Sequence, residues 1–167
     1  MIAGYRAIEA LEIEYSRDWL SKLELGAEGP VDDTQWRCLA EAIYFEARGE
    51  SVKGQFAVAE VILNRVDSAD FPDTICGVVH QGTGRKFACQ FTYTCDGKAE
   101  NINEPKAFDR VGKVAHVMVD GASRALTDGA THYHTKAVSP NWSRVYPRTA
   151  TIGYHHFYRK PTRVTSN

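Results

Sequence analysis

Apolar positions recur every three or four residues along most of the chain as far as Leu126 and every second residue beyond Gly129. Leu11, Tyr15, Trp19 and Leu23 stand four apart, which predicts a first helix over 7–25, broken by GAEGPVDD. Trp36, Leu39, Ala42, Ile43 and Glu46 fall on one face of a second helix, with Asp33 or Thr34 as its cap and Gly49 as its stop. SVKGQFAVAEVILNRV predicts a third, capped by Ser51, with Phe56, Ala59, Ile62, Leu63 and Val66 turned inward. FPDTICGVVHQG reads as a short helix between Pro72 and Gly82, and Lys106 to Leu126 as the last long one, burying Val111, Val114, Ala115, Met118 and Val119. Beyond Gly129, ATHYHT and TATIGYHHFYR alternate around the turn-rich VSPNWSRVYP, so a small β-hairpin or two-stranded ribbon is expected beside the helices. The class is α+β, mainly helical: an N-terminal helix and linker over 1–33, a main domain over 34–160, and a frayed tail over 161–167.

Composition narrows the partners more than the fold. At 167 residues the chain suits one domain with a real core. Its 20 Lys+Arg nearly balance its 21 Asp+Glu, so nothing in the charge points to nucleic acid or an anionic membrane, and a neutral or zwitterionic substrate fits better. Apolar runs such as Val58 to Leu63 fall far short of the roughly 20 residues a membrane span requires. Glu9, Glu12 and Glu14 lie where a secretory signal would carry basic residues and then an unbroken apolar core; no signal peptide is expected, only a mature fragment or a chain exported by another route, a phage included.

Cys38, Cys76, Cys89 and Cys95 include no CxxC pair, which argues against a zinc ribbon. Cys89 and Cys95 bracket QFTYT and can close a short loop by disulfide in an oxidising compartment; reduced, buried thiols are the alternative.

The densest candidate chemistry is YFEARGE, residues 44–50. Glu46 ends an amphipathic helix beside Tyr44 and Phe45, where burial and the negative end of the helix dipole both raise a carboxyl pKa and make a proton donor at neutral pH. The plainer account is a solvated glutamate paired with Arg48 or Lys53. Glu50 follows four residues on, past Gly49, and is a candidate second carboxylate whose role the spacing does not fix. His132 and His134 alternate on one strand face with His155 and His156 on a potential partner strand, a pattern that fits either a zinc site or hydrogen bonding to substrate. Trp142, Tyr133, Tyr93, Phe91 and Tyr44 lie in or beside loops, near Gln90 and Asn141, and aromatic faces beside amides suit sugar rings.

AEAIYFEARGESVKGQFAVAEVILNRV, FPDTICGVVHQG, CQFTYTCDG and ATHYHTKAVSPNWSRVYPRTATIGYHHFYR, taken in order, resemble the SleB/CwlJ cell-wall hydrolases, a family that includes spore cortex-lytic enzymes. The likeness runs from Trp36 to Arg159. It implies a lysozyme-like fold of the goose-type and lytic-transglycosylase kind, so that 34–160 is the catalytic domain, and it implies Glu46 as the catalytic acid. The implied reaction cuts the β-1,4 bond between N-acetylmuramic acid and N-acetylglucosamine, leaves a 1,6-anhydromuramic end, and needs no cofactor or metal. Tyr44, Gln90, Phe91, His132, Tyr133 and Trp142 are then the substrate-binding candidates, with Glu50 and His134 in secondary roles. The chain departs from the spore enzymes in lacking a repeat-type peptidoglycan-binding module and in carrying HYH where they tend to have aromatics, and it is closer to the Gram-negative and phage variety. Peptidoglycan glycan strands are the expected partner, with phage or phage-like particle components beside them, and the periplasm or cell wall the expected place of action. Two rivals stand beside this reading: a zinc-dependent N-acetylmuramoyl-L-alanine amidase using His132, His134 and His155 or His156, and a non-catalytic wall-binding or virion structural module.

Overall fold

The computed structural model describes residues 8, 10–26, 29–81, 91, 93 and 101–161. The first helix with both ends among the described residues, α1 (Arg17–Lys22), covers only part of the expected 7–25. Ser16 caps it, its hydroxyl accepting from the Trp19 N–H at 3.1 Å. The preceding LEIEY, residues 11–15, is non-helical and alternates between half-buried and exposed. Its four-residue spacing is also a two-residue spacing, and the two-residue one holds: Leu11, Ile13 and Tyr15 lie on the core while Glu12 and Glu14 face water. Tyr15 meets Phe56 edge to face, with ring centroids 5.1 Å apart. Leu20 is buried, and Val31 N–H donates to Asp120 at 2.9 Å, so this segment packs on the main core.

Helix α2 (Asp33–Ala47) starts one residue earlier than the sequence pattern implied, with Asp32 as its cap, accepting from Gln35 N–H at 3.1 Å. Its last carbonyls do not hang free. Gln55 Nε2 donates to Ala47 O at 3.2 Å and reaches Arg48 O at 3.5 Å, while Glu50 N–H donates to Ala47 O at 2.9 Å. Ser51 then caps α3 (Val52–Val66) as its position suggested, accepting from Gly54 N–H at 3.1 Å. The spine of the core is α3, buried from Gly54 to Leu63 without a break. Within it Glu60 is satisfied by the N–H groups of Leu126 and Thr127 and by the Thr127 hydroxyl, which ties the 126–127 loop to the helix.

Helices α4 (Ile75–Val79) and α5 (Pro105–Val119) pack against α2 and α3. Short of the expected Leu126, α5 stops at Val119: Gly121 takes a left-handed φ of 103°, and Ala122 N–H folds back onto Val117 O at 2.9 Å. Cys38 on α2 and Cys76 on α4 form a disulfide with Cα atoms 5.3 Å apart. The sequence reading did not pair these two; Cys89 and Cys95, the pair it considered, lie outside the described residues.

The expected ribbon of two strands is a sheet of three, in the order β1 (His132–Thr135), β3 (His155–Tyr158), β2 (Arg148–Ile152), all antiparallel. TATIGYHHFYR supplies two of them, because Gly153, with φ 57°, turns the chain back on itself. Pairing His134 with His156 and Tyr133 with Phe157 sorts the side chains. His132, His134, His156 and Tyr158 share one face; Tyr133, Thr135, His155 and Phe157 share the other, with Phe157 packed on Ala57 and Val61 of α3. Strand β1 is an edge of the sheet and borders the cleft described next.

Candidate active site

A cleft of about 670 Å³ opens between the end of α2 and the edge of β1. It exceeds the hollow of about 220 Å³ beside Asn64, whose acids Asp67 and Asp70 are already paired to Arg124 and Lys160. Glu46, in the last turn of α2, is the one carboxylate among the described residues that line the cleft. Tyr133 of β1 donates its hydroxyl to Glu46 Oε2 at 3.3 Å. Burial raises the Glu46 pKa above the ordinary glutamate value and outweighs the opposing effect of the Tyr133 hydrogen bond. Arg48 is committed elsewhere: its Nε lies 3.1 Å from Glu104, its Nη1 donates to the Tyr44 hydroxyl at 3.0 Å, and its guanidinium sits over the Tyr44 ring.

Tyr44 does not reach the cleft. It is 0% exposed, and its hydroxyl accepts from the N–H groups of Asn103 and Glu104 at 3.1 and 3.0 Å. Two positions along a helix are about 200° apart around its axis, so Tyr44 and Glu46 face opposite ways. As a substrate-binding candidate Tyr44 is therefore withdrawn: it fastens the 103–104 segment to α2. Gln90 lies outside the described residues, while Phe91, Tyr133, His132, His134 and Trp142 all line the cleft.

The wall opposite Glu46 is aromatic. Trp142 is stacked on Tyr146 and tilted against His132, His134 and Tyr158. His132 Nδ1 meets the Thr131 hydroxyl at 3.0 Å, and burial, with Arg65 and Lys160 nearby, drops its pKa to about 4, so the ring is neutral at physiological pH. His134 Nδ1 faces the Thr135 carbonyl at 2.7 Å, an atom that only accepts, so the proton is on Nδ1 and Nε2 accepts from the Tyr158 hydroxyl at 2.9 Å in the neutral ring. Arg65, which the sequence reading passed over, enters from α3. Its Nε donates to Thr131 O at 2.6 Å, its guanidinium covers Phe71, and burial lowers its pKa to about 10, leaving it cationic. An arginine in a helix buried along its length was the available signal.

The remaining cleft histidine is His155 of β3, buried, with Nδ1 3.0 Å from Glu50 Oε1. Burial lowers its pKa, and Glu50 counters only part of that. Glu50 lines the back of the imidazole, wedged so closely that a Cβ on Gly153 would come within 2.9 Å of its Oε2. His156 turns to the Thr151 hydroxyl at 2.7 Å. Each of these four histidines faces partners of its own, and the described residues contain no group of three or more His, Cys, Asp or Glu that could hold a metal ion.

Residues 49–158 match the Cell Wall Hydrolase family model, which begins just after Glu46. A spore cortex-lytic enzyme of Oceanobacillus iheyensis is 35% identical over 119 residues, spanning 71% of this chain and 39% of that protein. One of Halalkalibacterium halodurans is 34% identical over 139 residues, 75% of this chain and 34% of that protein. The chain thus spans well under half the length of these relatives. Among solved structures, the catalytic domain of the germination-specific lytic transglycosylase SleB from Bacillus anthracis is 31% identical with a TM-score of 0.57, covering 77% of this chain and 96% of that one. The catalytic domain of the Bacillus cereus SleB protein is 31% identical with a TM-score of 0.58, covering 80% and 100%. The architecture of helices with a small sheet is the lysozyme-like one these domains share, and the chain belongs to the Cell Wall Hydrolase family.

Proposed function

We propose that this chain cleaves the glycan strand of peptidoglycan between N-acetylmuramic acid and N-acetylglucosamine as a lytic transglycosylase, with Glu46 as its acid. The observation that carries the reading is that Glu46 is the one carboxylate among the described residues that line the cleft. A glycosidase that uses water or an enzyme nucleophile places two carboxyl groups across the scissile bond. Here one acid among the described lining, its pKa raised by burial, faces aromatic rings. Glu46 gives its proton to the leaving glycosidic oxygen; the C1–O bond breaks toward that oxygen; the muramyl 6-hydroxyl closes on the oxocarbenium-like C1; and the carboxylate left behind is placed to receive the hydroxyl proton. A positioned acid is worth on the order of 10²–10⁴ in rate, with distortion and binding supplying the rest. Trp142 offers an apolar surface for a sugar ring, the neutral His132 beside it adds polarity without charge, and Phe91, only 3% exposed, backs the cleft from the core.

The substrate places the reaction in the periplasm or cell wall, and the Cys38–Cys76 bridge suits such an oxidising compartment. No helix among the described residues is long and apolar enough to cross a membrane. The test is mass spectrometry of soluble products from purified peptidoglycan, digested by the wild type and by Glu46→Gln with chelator present. Anhydromuramic ends from the wild type alone support the reading. Hydrated reducing ends make the chain a hydrolytic muramidase, and free stem peptides lost on chelation make it an amidase.

A further inference from the structure

The near-cancellation of charge along the whole chain hides a division within it. Asp128 is the only acid in the sequence after Asp120, whereas Arg124, Lys136, Arg144, Arg148, Arg159 and Lys160 all fall between positions 124 and 160. That stretch builds the sheet and one wall of the cleft. Arg124 is paired to Asp67 and Lys160 to Asp70; Lys136, Arg144, Arg148 and Arg159 are exposed and make no ion pair with a described residue. Lys136 follows Thr135, which lines the cleft, and Arg148 lies 5.6 Å from the Tyr158 ring against which Trp142 packs. The cleft has a further cation within it. Arg65 lines it and is 6% exposed; its Nε is taken by the Thr131 carbonyl at 2.6 Å, and the Phe71 and Phe91 ring centres lie 4.8 and 5.9 Å from its guanidinium carbon. No described carboxylate pairs with it. Glu46 is not its counter-ion, since burial and the Tyr133 hydrogen bond are what act on that acid. A buried cation without a counter-charge is costly to keep. With Nε engaged, the two Nη groups remain, and their N–H bonds match the two oxygens of a carboxylate.

We propose that the sheet side of the cleft is a carboxylate-recognition surface: Arg65 within it and Lys136 and Arg148 on its rim bind carboxylate groups carried by the muramyl residues of the strand. This rests on the reading that the chain acts on peptidoglycan, and it holds whichever end the cut leaves. The sugar rings themselves are uncharged. Charge enters at the muramyl 3-position, where the lactyl ether ends in a carboxyl group that is either free or extended into a peptide with carboxylates of its own. Both sources offer the same chemistry beside the scissile bond. Arg65, shielded from water, supplies the directed contact, in which two N–H groups meet two oxygens. Lys136 and Arg148, exposed to water, supply an attraction that gathers the strand and weakens as salt is added. The field of Arg65 is felt in the cleft: after burial, it is the next influence that lowers the pKa of His132, a residue of the cleft wall.

The experiment measures kcat and KM for product release from purified peptidoglycan in three forms: untreated, with its carboxylates converted to neutral methylamides, and stripped of peptide so that each lactyl carboxylate is free. The enzymes are the wild type, Lys136→Gln/Arg148→Gln and Arg65→Gln. Methylamidation should raise the wild-type KM about 10-fold or more while kcat changes little. On the untreated form the wild-type KM should also rise with salt. The double variant should raise that KM about 3–5-fold, flatten its salt dependence, and leave the KM for the methylamidated form as it was. Arg65→Gln should narrow the ratio between the two forms. A merely structural role for Arg65 would lower the melting temperature and raise KM on both forms alike. Should Arg65→Gln fail to fold, the double variant, altered only at exposed positions, carries the test. The stripped glycan separates the sources: a KM near that of the untreated form assigns the contact to the lactyl carboxylate, and one near that of the methylamidated form assigns it to the peptide. A wild-type KM that is equal on untreated and methylamidated forms and indifferent to salt overturns the proposal alone. No products from any form overturns the peptidoglycan reading and the proposal with it.

Discussion

The Tyr133 hydroxyl donates to Glu46 Oε2 at 3.3 Å, and this contact joins the edge strand of the sheet to the last turn of α2. It acts against burial. Desolvation favours the protonated acid, whereas a donated hydrogen bond favours the carboxylate, and desolvation prevails. Tyr133 thereby limits how far the Glu46 pKa climbs, while desolvation and the nearby Glu46 hold its own phenol well above the ordinary tyrosine value.

Tyr133→Phe should therefore raise the Glu46 pKa further. Glu46 must be protonated to act as an acid, so activity falls as pH rises through its pKa, and that basic limb should move to higher pH in the variant. The loss at the optimum should be smaller than in Glu46→Gln, which removes the acid itself and should cost on the order of 10²–10⁴. A pH series of kcat/KM reads both, and a basic limb that stays where it is in Tyr133→Phe would show that the hydrogen bond does not tune the acid.

The same burial has a thermodynamic sign. The folded-state pKa of Glu46 lies above its unfolded value, so between the two the unfolded chain releases a proton that the folded chain retains, and stability declines as pH rises through that window. Glu46→Gln carries no such charge. It should melt at or above the wild type at neutral pH, with the gap closing as the medium is acidified below the unfolded glutamate pKa. Thermal melts at a series of pH values decide it, and a variant less stable than the wild type at neutral pH would mean that the carboxylate is held by favourable contacts.

How much of this was legible in the sequence differs from residue to residue. Glu46 was legible because its environment is local: the apolar stripe of α2 ends on it, and the Ser51 cap marks where the chain turns. The orientation of Tyr44 was equally present, since helical positions two apart point to opposite sides and Tyr44 cannot share the cleft with Glu46. At the N-terminus a single spacing served two periods, and only packing against Phe56 chose between them. The pairing of Glu50 with His155 left no local trace, because it depends on a strand order that returns β3 between β1 and β2.

Tyr44→Phe separates an anchor from a sugar contact. The phenol oxygen accepts from Asn103 N–H, Glu104 N–H and Arg48, and removing it leaves buried donors without their partner, at about 1–3 kcal/mol. The melting temperature should fall by roughly 2–4 °C for each kcal/mol lost. The KM for peptidoglycan should stay as it was, since Tyr44 is buried and is not among the residues that line the cleft. A raised KM with an unchanged melting point would return Tyr44 to the substrate.

The Cys38–Cys76 bridge makes the last prediction, because four cysteines allow three complete pairings and counting does not choose among them. It ties α2, which carries Glu46, to α4 across a sequence separation of 38 residues. A closed loop of that length removes unfolded-state entropy worth roughly 4 kcal/mol. Cys38→Ser/Cys76→Ser should accordingly lower the melting temperature by on the order of 10 °C. Much of that should come from faster unfolding if the bridged contacts form after the folding transition state. Activity at a temperature well below the new midpoint should be retained, since neither sulfur is among the described lining of the cleft. Reductant should shift the wild type toward the double variant and leave the double variant less affected. If the substitution costs no stability while activity drops, the bridge acts on the position of Glu46 through α2, and the entropic account of its role fails.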